Sequence, residues 1–302
     1  MIKNFNDSTM NDLSGAGVAL ITPFDENGGV DTEALKRLVR YQIDRGIDYL
    51  VVLGTTGETA TLSREEKSRV RETVIQANEG KLPLVLGIGG NNTAEVVEEL
   101  KAMDPDPYTA VLSVSPYYNK PSQEGVYRHF EAVAQASPLP VILYNVPPRT
   151  GSNVLAATTL RLASDFDNII GIKEASGDFE QALVLLRDKP SNFLVISGED
   201  MLALPLVLAG GSGVISVIGQ GLPREFGEMI HLGLEGRSKE AYAMFYSLME
   251  SIDLIFEEGN PSGIKCLLEL LELTSSRVRL PLVPASEQLR QKMIKFVTAF
   301  KS

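Results

Sequence analysis

A lysine closes one of the most apolar runs in the chain, Ile169-Ile170-Gly171-Ile172-Lys173. Burying a charged ammonium is costly, and a lysine held there as the neutral amine adds to a carbonyl to form a Schiff base. The alternative is a structural lysine paired with a carboxylate such as Glu174 or Glu199. Tyr144 sits near the end of a second apolar run, Val141–Asn145. A phenol there can move protons to and from a carbinolamine, with Thr55 and Tyr118 as hydroxyl relays; a core tyrosine with a satisfied hydroxyl is the plainer alternative. Arg149 follows Pro147-Pro148, and its planar fork suits a carboxylate, although a lone loop arginine is more often a solvated charge. Gly54-Thr55-Thr56-Gly57 precedes a helical segment and offers N–H groups and two hydroxyls to a small carboxylate. No Gly-Lys-Ser/Thr follows it, so it is not a nucleotide phosphate loop, and Gly87-Ile88-Gly89-Gly90-Asn91 lacks the dinucleotide spacing.

These residues must be held by something, and the hydropathy pattern says what. Short, nearly charge-free runs recur at Val18–Thr22, Tyr49–Leu53, Leu84–Gly87, Ala110–Ser115, Val141–Asn145, Ile169–Lys173, Phe193–Ser197 and Gly213–Val217. They are continuous rather than alternating, as expected of parallel strands buried on both faces. Between them lie segments of helical period: Thr32–Gly46 behind the cap Asp31, Ser63–Gly80 with the capping-box pair Ser63 and Glu66, Thr93–Met103, Glu124–Ala136, Asn153–Ser164 and Phe179–Leu186. Eight strands alternating with helices predict a (β/α)8 TIM barrel; a doubly wound open sheet is the competitor. After about Gly233 the pattern is helical only, at Ser238–Phe256, Gly263–Leu271 and Ser286–Phe300. The expected organisation is an N-terminal extension without order over residues 1–12, a catalytic barrel over 13–233 and a C-terminal α-helical appendage over 234–302. The appendage reads as a packing or assembly element. In a barrel, chemistry belongs to the loops after the strands' C-terminal ends, and the hydroxyls, glycines and ionisable groups concentrate there.

Composition narrows the function classes. Of 302 residues, 44% are hydrophobic and 22% charged, which excludes wholesale disorder. A net charge of −11 argues against nucleic-acid binding, which needs a basic face. One cysteine, Cys266, permits no intramolecular disulfide, and His129 and His231 match no metal-ligand spacing; both histidines read as surface or packing residues. The charge-free stretch from Met201 to Pro223 is too interrupted by Pro205, Gly210, Gly211 and Gly213 for a membrane span and reads as a buried helix followed by a buried strand. The polar first residues carry no signal-peptide core, so a cytoplasmic location is expected.

Four motifs in order carry a resemblance: Gly54-Thr-Thr-Gly-Glu, Ser115-Pro-Tyr-Tyr-Asn-Lys-Pro, Tyr144-Asn-Val-Pro-Pro-Arg-Thr-Gly and Gly171-Ile-Lys-Glu-Ala-Ser-Gly. From Gly17 to Leu282 the chain resembles the pyruvate-dependent class I aldolase family that includes N-acetylneuraminate lyase, in its dihydrodipicolinate synthase branch. The resemblance implies that Lys173 forms a Schiff base with pyruvate. Tyr144, Thr55 and Tyr118 would be the proton relay, with Tyr118 contributed across a tight dimer interface. It further implies that Thr56 holds the pyruvate carboxylate, that Arg149 holds the carboxylate of aspartate semialdehyde, and that Gly198 and Ile215 line the pocket. No metal or organic cofactor is implied, and the implied assembly is a homotetramer of two tight dimers. Pro-x-Arg-Thr-Gly at the fifth strand end is similar to the synthase branch rather than the sialic-acid lyase. A related pyruvate aldolase acting on a sugar acid or other aldehyde, and a non-catalytic small-molecule-binding barrel, are the alternatives. Asp104-Pro-Asp-Pro departs from the family pattern and leaves the start of the fourth strand open. Thr59, Ala60, Asn91, Glu95 and Tyr117 fall where the family's allosteric lysine pocket lies. Lys67 stands where lysine-inhibited relatives often carry His or Glu, and Arg64 is close by, so weak or absent lysine inhibition is expected.

Overall fold

A computed structural model describes residues 7–300. Eight parallel strands close a barrel in sequence order: β1 (Gly15–Ala19), β2 (Tyr49–Val52), β3 (Leu84–Gly87), β4 (Ala110–Val114), β5 (Val141–Asn145), β6 (Ile169–Glu174), β7 (Leu194–Ser197) and β8 (Gly213–Ser216). The helix α1 (Asp7–Asp12) precedes the barrel. The outer layer is α2 (Thr32–Asp44), α3 (Arg64–Asn78), α4 (Thr93–Ala102), α5 (Gln123–Ala136), a short α6 (Pro147–Thr150), α7 (Ala156–Asp165), α8 (Phe179–Asp188), α9 (Asp200–Leu208) and α10 (Pro223–Leu234). Three further helices follow, α11 (Ser238–Phe256), α12 (Ser262–Leu270) and α13 (Glu287–Phe300). The (β/α)8 barrel with C-terminal helices is therefore present, and the open-sheet alternative is excluded by the β1–β8 pairing.

Several helices begin where a side chain satisfies orphan N–H groups. Asp31 accepts from the Ala34 amide, Ser63 and Glu66 form the reciprocal capping box, and Asp178 caps α8. Two apolar layers result. Side chains such as Val51, Val85, Leu112, Ile142 and Ile196 fill the barrel, while Leu50, Leu86, Val111, Leu143 and Val195 face the helices. Closure requires glycine: Gly213 has φ +141°, and a Cβ there would stand 2.0 Å from the Gly15 carbonyl oxygen.

Some boundaries differ from expectation. β1 begins at Gly15 because its ladder to β8 starts there, and only the Leu20 amide beyond it bonds across, to the Val51 carbonyl. Residues 7–12, expected as part of an unstructured extension, form α1, whose Met10 packs with Leu13 against the inner cluster and so covers apolar surface at the N-terminal mouth; the rest of that extension, residues 1–6, lies outside the described residues. The charge-free stretch is the buried α9 followed by β8. Among the described residues no helix is long and apolar enough to cross a membrane.

The decisive local feature lies in β6. Its register against β5 jumps from Val141↔Ile169 to Ile142↔Gly171, leaving Ile170 as an extra residue. Ile170 faces the barrel interior, yet Ile172, two residues on, faces the helices. The bulge thus reverses the alternation and turns Lys173 inward and Glu174 outward.

Candidate active site

At the C-terminal mouth, Tyr144 and Lys173 are register partners on adjacent strands. Lys173 is 5% exposed, and its Nζ lies 4.5 Å from the centroid of the Tyr144 ring. Among the described residues, no carboxylate lies within ion-pair distance of Lys173 and none of its hydrogen bonds goes to a side chain, so the structural-pair alternative finds no partner here. Glu174 is occupied on the other face, where it accepts from Asn145 Nδ2 (3.1 Å), Gln181 Nε2 (3.0 Å) and the Ser176 amide (2.8 Å). Because Asn145↔Glu174 is the next register pair after Tyr144↔Lys173, this cluster ties β5 to β6 directly behind the tyrosine and lysine. Glu199, after β7, has its carboxyl pushed up, first by burial and then by Asp200, with Lys173 and Arg149 opposing.

A Cβ on Gly198 would stand 3.0 Å from Lys173 Cε and 2.5 Å from Ala175 Cβ, so the lysine occupies space that only glycine leaves. Ile215 is fully buried inside the barrel. The turn Gly54-Thr55-Thr56-Gly57 is bracketed by two non-glycine residues in left-handed backbone, Leu53 (φ 57°) and Glu58 (φ 53°), a conformation that surrounding contacts must enforce. Thr55 is exposed at the mouth. Thr56 is buried, and its hydroxyl accepts from Asn260 Nδ2 at 3.0 Å. Thr55 and Tyr144 line one cavity of about 70 Å³ with Gly54, Leu112 and Val114; Lys173, Gly198 and Ile215 are not part of that lining. Arg149, on α6, is exposed and donates to the Asn260 carbonyl (3.2 Å). Tyr118 is 82% exposed, with φ 71°. The barrel therefore gathers Lys173, Tyr144, Thr55, Thr56 and Gly198 at one mouth and leaves Tyr118 exposed.

The five residues of the expected lysine pocket are spread over neighbouring features. Thr59 lines the small cavity, Glu95 lines a groove of about 580 Å³ between α3 and α4, Asn91 donates to the Tyr117 carbonyl (3.3 Å), and Ala60 is exposed. Lys67 lines both the cavity and the groove.

Sequence reasoning missed Asn260, which touches both Thr56 and Arg149, and the buried pair Glu58–Lys265. The available signal was a charged residue inside the apolar run Gly263-Ile-Lys-Cys-Leu-Leu, but it lay in a region read as packing. Burial pulls the Lys265 ammonium down to about 8, with Glu58 opposing. Among the described residues, no three His, Cys, Asp or Glu side chains converge as a metal site.

Residues 12–300 match the model of the dihydrodipicolinate synthetase family. The chain belongs to that family. A 4-hydroxy-tetrahydrodipicolinate synthase of Flavobacterium psychrophilum is 62% identical over 279 residues, which is 92% of this chain and 95% of the relative. The crystal structure of dihydrodipicolinate synthase from Aquifex aeolicus superposes with a TM-score of 0.92 at 37% identity, covering 96% of this chain and 98% of that one. The chloride-inhibited dihydrodipicolinate synthase of Acinetobacter baumannii, solved in complex with pyruvate, gives a TM-score of 0.91 at 38% identity over 95% of this chain and 98% of that one. Dihydrodipicolinate synthetase family membership spans barrel and C-terminal helices alike.

Proposed function

We propose that this chain is a 4-hydroxy-tetrahydrodipicolinate synthase, joining pyruvate to L-aspartate 4-semialdehyde through a Schiff base on Lys173, in lysine and diaminopimelate biosynthesis. The observation that carries the reading is an inward lysine at the barrel mouth, without a carboxylate partner, beside a tyrosine. The neutral Lys173 amine adds to the keto carbon of pyruvate. Tyr144 delivers a proton to the carbinolamine hydroxyl, which leaves as water and gives the imine. Loss of a methyl proton makes the enamine, whose carbon attacks the aldehyde. The acceptor's own amino group then displaces Lys173 from the imine carbon, closing the ring and freeing the enzyme. Thr55 passes protons from Tyr144 onward, and Tyr118 of a second copy completes the relay. Thr56 holds the pyruvate carboxylate, Arg149 holds that of the semialdehyde, and Gly198 and Ile215 shape the pocket. An exposed tyrosine fixed in left-handed backbone supports a partner that covers it, and we propose a homotetramer of two tight dimers acting in the cytoplasm.

The test is borohydride reduction with pyruvate followed by peptide mass mapping. The adduct is expected on the peptide holding Lys173 and absent from Lys173→Ala; an adduct elsewhere, or none, refutes the assignment. A coupled assay with alternative aldehydes identifies the acceptor, and Arg149→Ala should lower kcat/KM for aspartate semialdehyde by about tenfold or more while leaving pyruvate trapping intact, since a charged hydrogen bond contributes about 1.5–3 kcal/mol.

A further inference from the structure

The C-terminal helices reach the active-site turn through an ionic knot that the chemistry above does not use. Lys265, on α12, is 0% exposed. Its Nζ donates to Glu58 Oε1 (2.5 Å) and to the Arg277 carbonyl (2.8 Å), and lies 4.2 Å from the centroid of the Phe24 ring. The other oxygen of Glu58 accepts from the Arg279 amide (3.0 Å). Arg279 in turn donates to the Thr61 carbonyl (2.7 Å), the Gly28 carbonyl (2.6 Å) and both oxygens of Glu66. Glu58 is the residue immediately after Gly54-Thr55-Thr56-Gly57, and it adopts left-handed backbone. Its amide donates to the Thr55 carbonyl, and its own carbonyl accepts from the Thr61 amide.

A buried ion pair of this kind contributes little to stability over apolar residues of the same shape; its best-attested use is to enforce one arrangement among several. Here the arrangement held is that of the two threonines. We infer that Glu58 and Lys265 are positioning residues: the α12 ammonium holds the strained turn in the conformation that presents Thr55 and Thr56 to pyruvate. The catalytic part of this inference rests on the pyruvate reading above; the mechanical part does not.

The experiment compares the full-length protein with the double variant Glu58→Gln/Lys265→Met. Both partners are replaced because removing one alone would leave an unpaired buried charge and threaten the fold. Arg290→Ala, which breaks the ion pair between α13 and Glu269 of α12, serves as a control for mere loosening of the C-terminal helices. Thermal unfolding confirms that each variant is folded. Hydrogen exchange over residues 54–62 reads the turn whatever the substrate is. Exchange there should quicken at least tenfold in the double variant and not in Arg290→Ala, with the pyruvate KM rising at least tenfold in the double variant alone. Unchanged exchange over 54–62, or a pyruvate KM within twofold of the parent despite faster exchange, overturns the inference. Absence of a borohydride-trapped pyruvate adduct in the parent refutes the pyruvate reading instead, and the exchange result still decides the mechanical part.

Discussion

Gly198→Ala adds one methyl group at the point where β7 meets the lysine. The new carbon would stand 3.0 Å from Lys173 Cε and 2.5 Å from Ala175 Cβ. Carbon atoms prefer about 3.5–4.0 Å, so relief requires Lys173 to retreat by roughly 0.5–1 Å and Gly198 and Ala175 to separate by roughly 1–1.5 Å. Overpacking of this kind costs about 1–3 kcal/mol of stability. A misplacement of about 1 Å in reacting groups lowers the rate by roughly 100-fold, or about 2.7 kcal/mol of barrier. The expected result is a folded protein with kcat/KM down about 100-fold and slowed borohydride trapping by pyruvate. Gly177→Ala separates stability from geometry. Gly177 lies just past β6 at φ +76°, with open space where a Cβ would go, so alanine there strains the backbone by about 1–2 kcal/mol without touching the lysine. Gly177→Ala should lose stability and keep activity. If Gly198→Ala retains kcat/KM within about threefold of the parent, or if both variants lose activity in step with stability, the crowding argument fails.

Two further outcomes follow from titratable groups. Burial pushes the His129 imidazole down to about 4; its Nδ1 lies 2.9 Å from Thr93 Oγ1, and its Nε2 has no partner. The unfolded chain, near 6.5, therefore takes up the proton first. The stabilisation is complete above about pH 6.5, declines as pH falls through the folded value, and amounts to roughly 3 kcal/mol. Urea unfolding of His129→Leu should lack that acid-dependent loss between about pH 6.5 and 4; identical pH slopes in parent and variant would contradict it. L-Lysine at sub-millimolar concentration should leave turnover unchanged, because Lys67 lines both the cavity beside Thr59 and the groove beside Glu95, and like charges about 4 Å apart repel by about 1 kcal/mol even in water. Strong inhibition in a steady-state assay would sink this, and Lys67→His should raise lysine sensitivity if it holds.

The barrel is legible in the sequence because parallel strands buried on both faces must read as continuous apolar runs, and the helices between them carry their own caps, such as Asp31 and Ser63. The ends of β1 and α7 are less legible. Leu20 still donates its amide to the Val51 carbonyl but lies one residue past the last register pair, Ala19↔Val51, and Asn153 has the polarity of a helix start but spends its side-chain hydrogen bonds on Gln181 and Asn145. Asn260, Glu58 and Lys265 were not legible as site residues at all. About 200 residues separate Asn260 from Thr56 and Lys265 from Glu58, and a single sequence contains no term for contacts at that distance.

By itself the sequence determined that a lysine and a tyrosine would end neighbouring strands of one barrel, since those positions follow from composition and period alone. Which way the lysine faces was decided only in the folded sheet. Strict alternation from the inward Ile170 would put Glu174 inside and Lys173 against the helices; the extra residue opposite β5 exchanges the two. A side chain's face depends on the parity of its strand register, and register is set by the partner strand rather than by the residues being read.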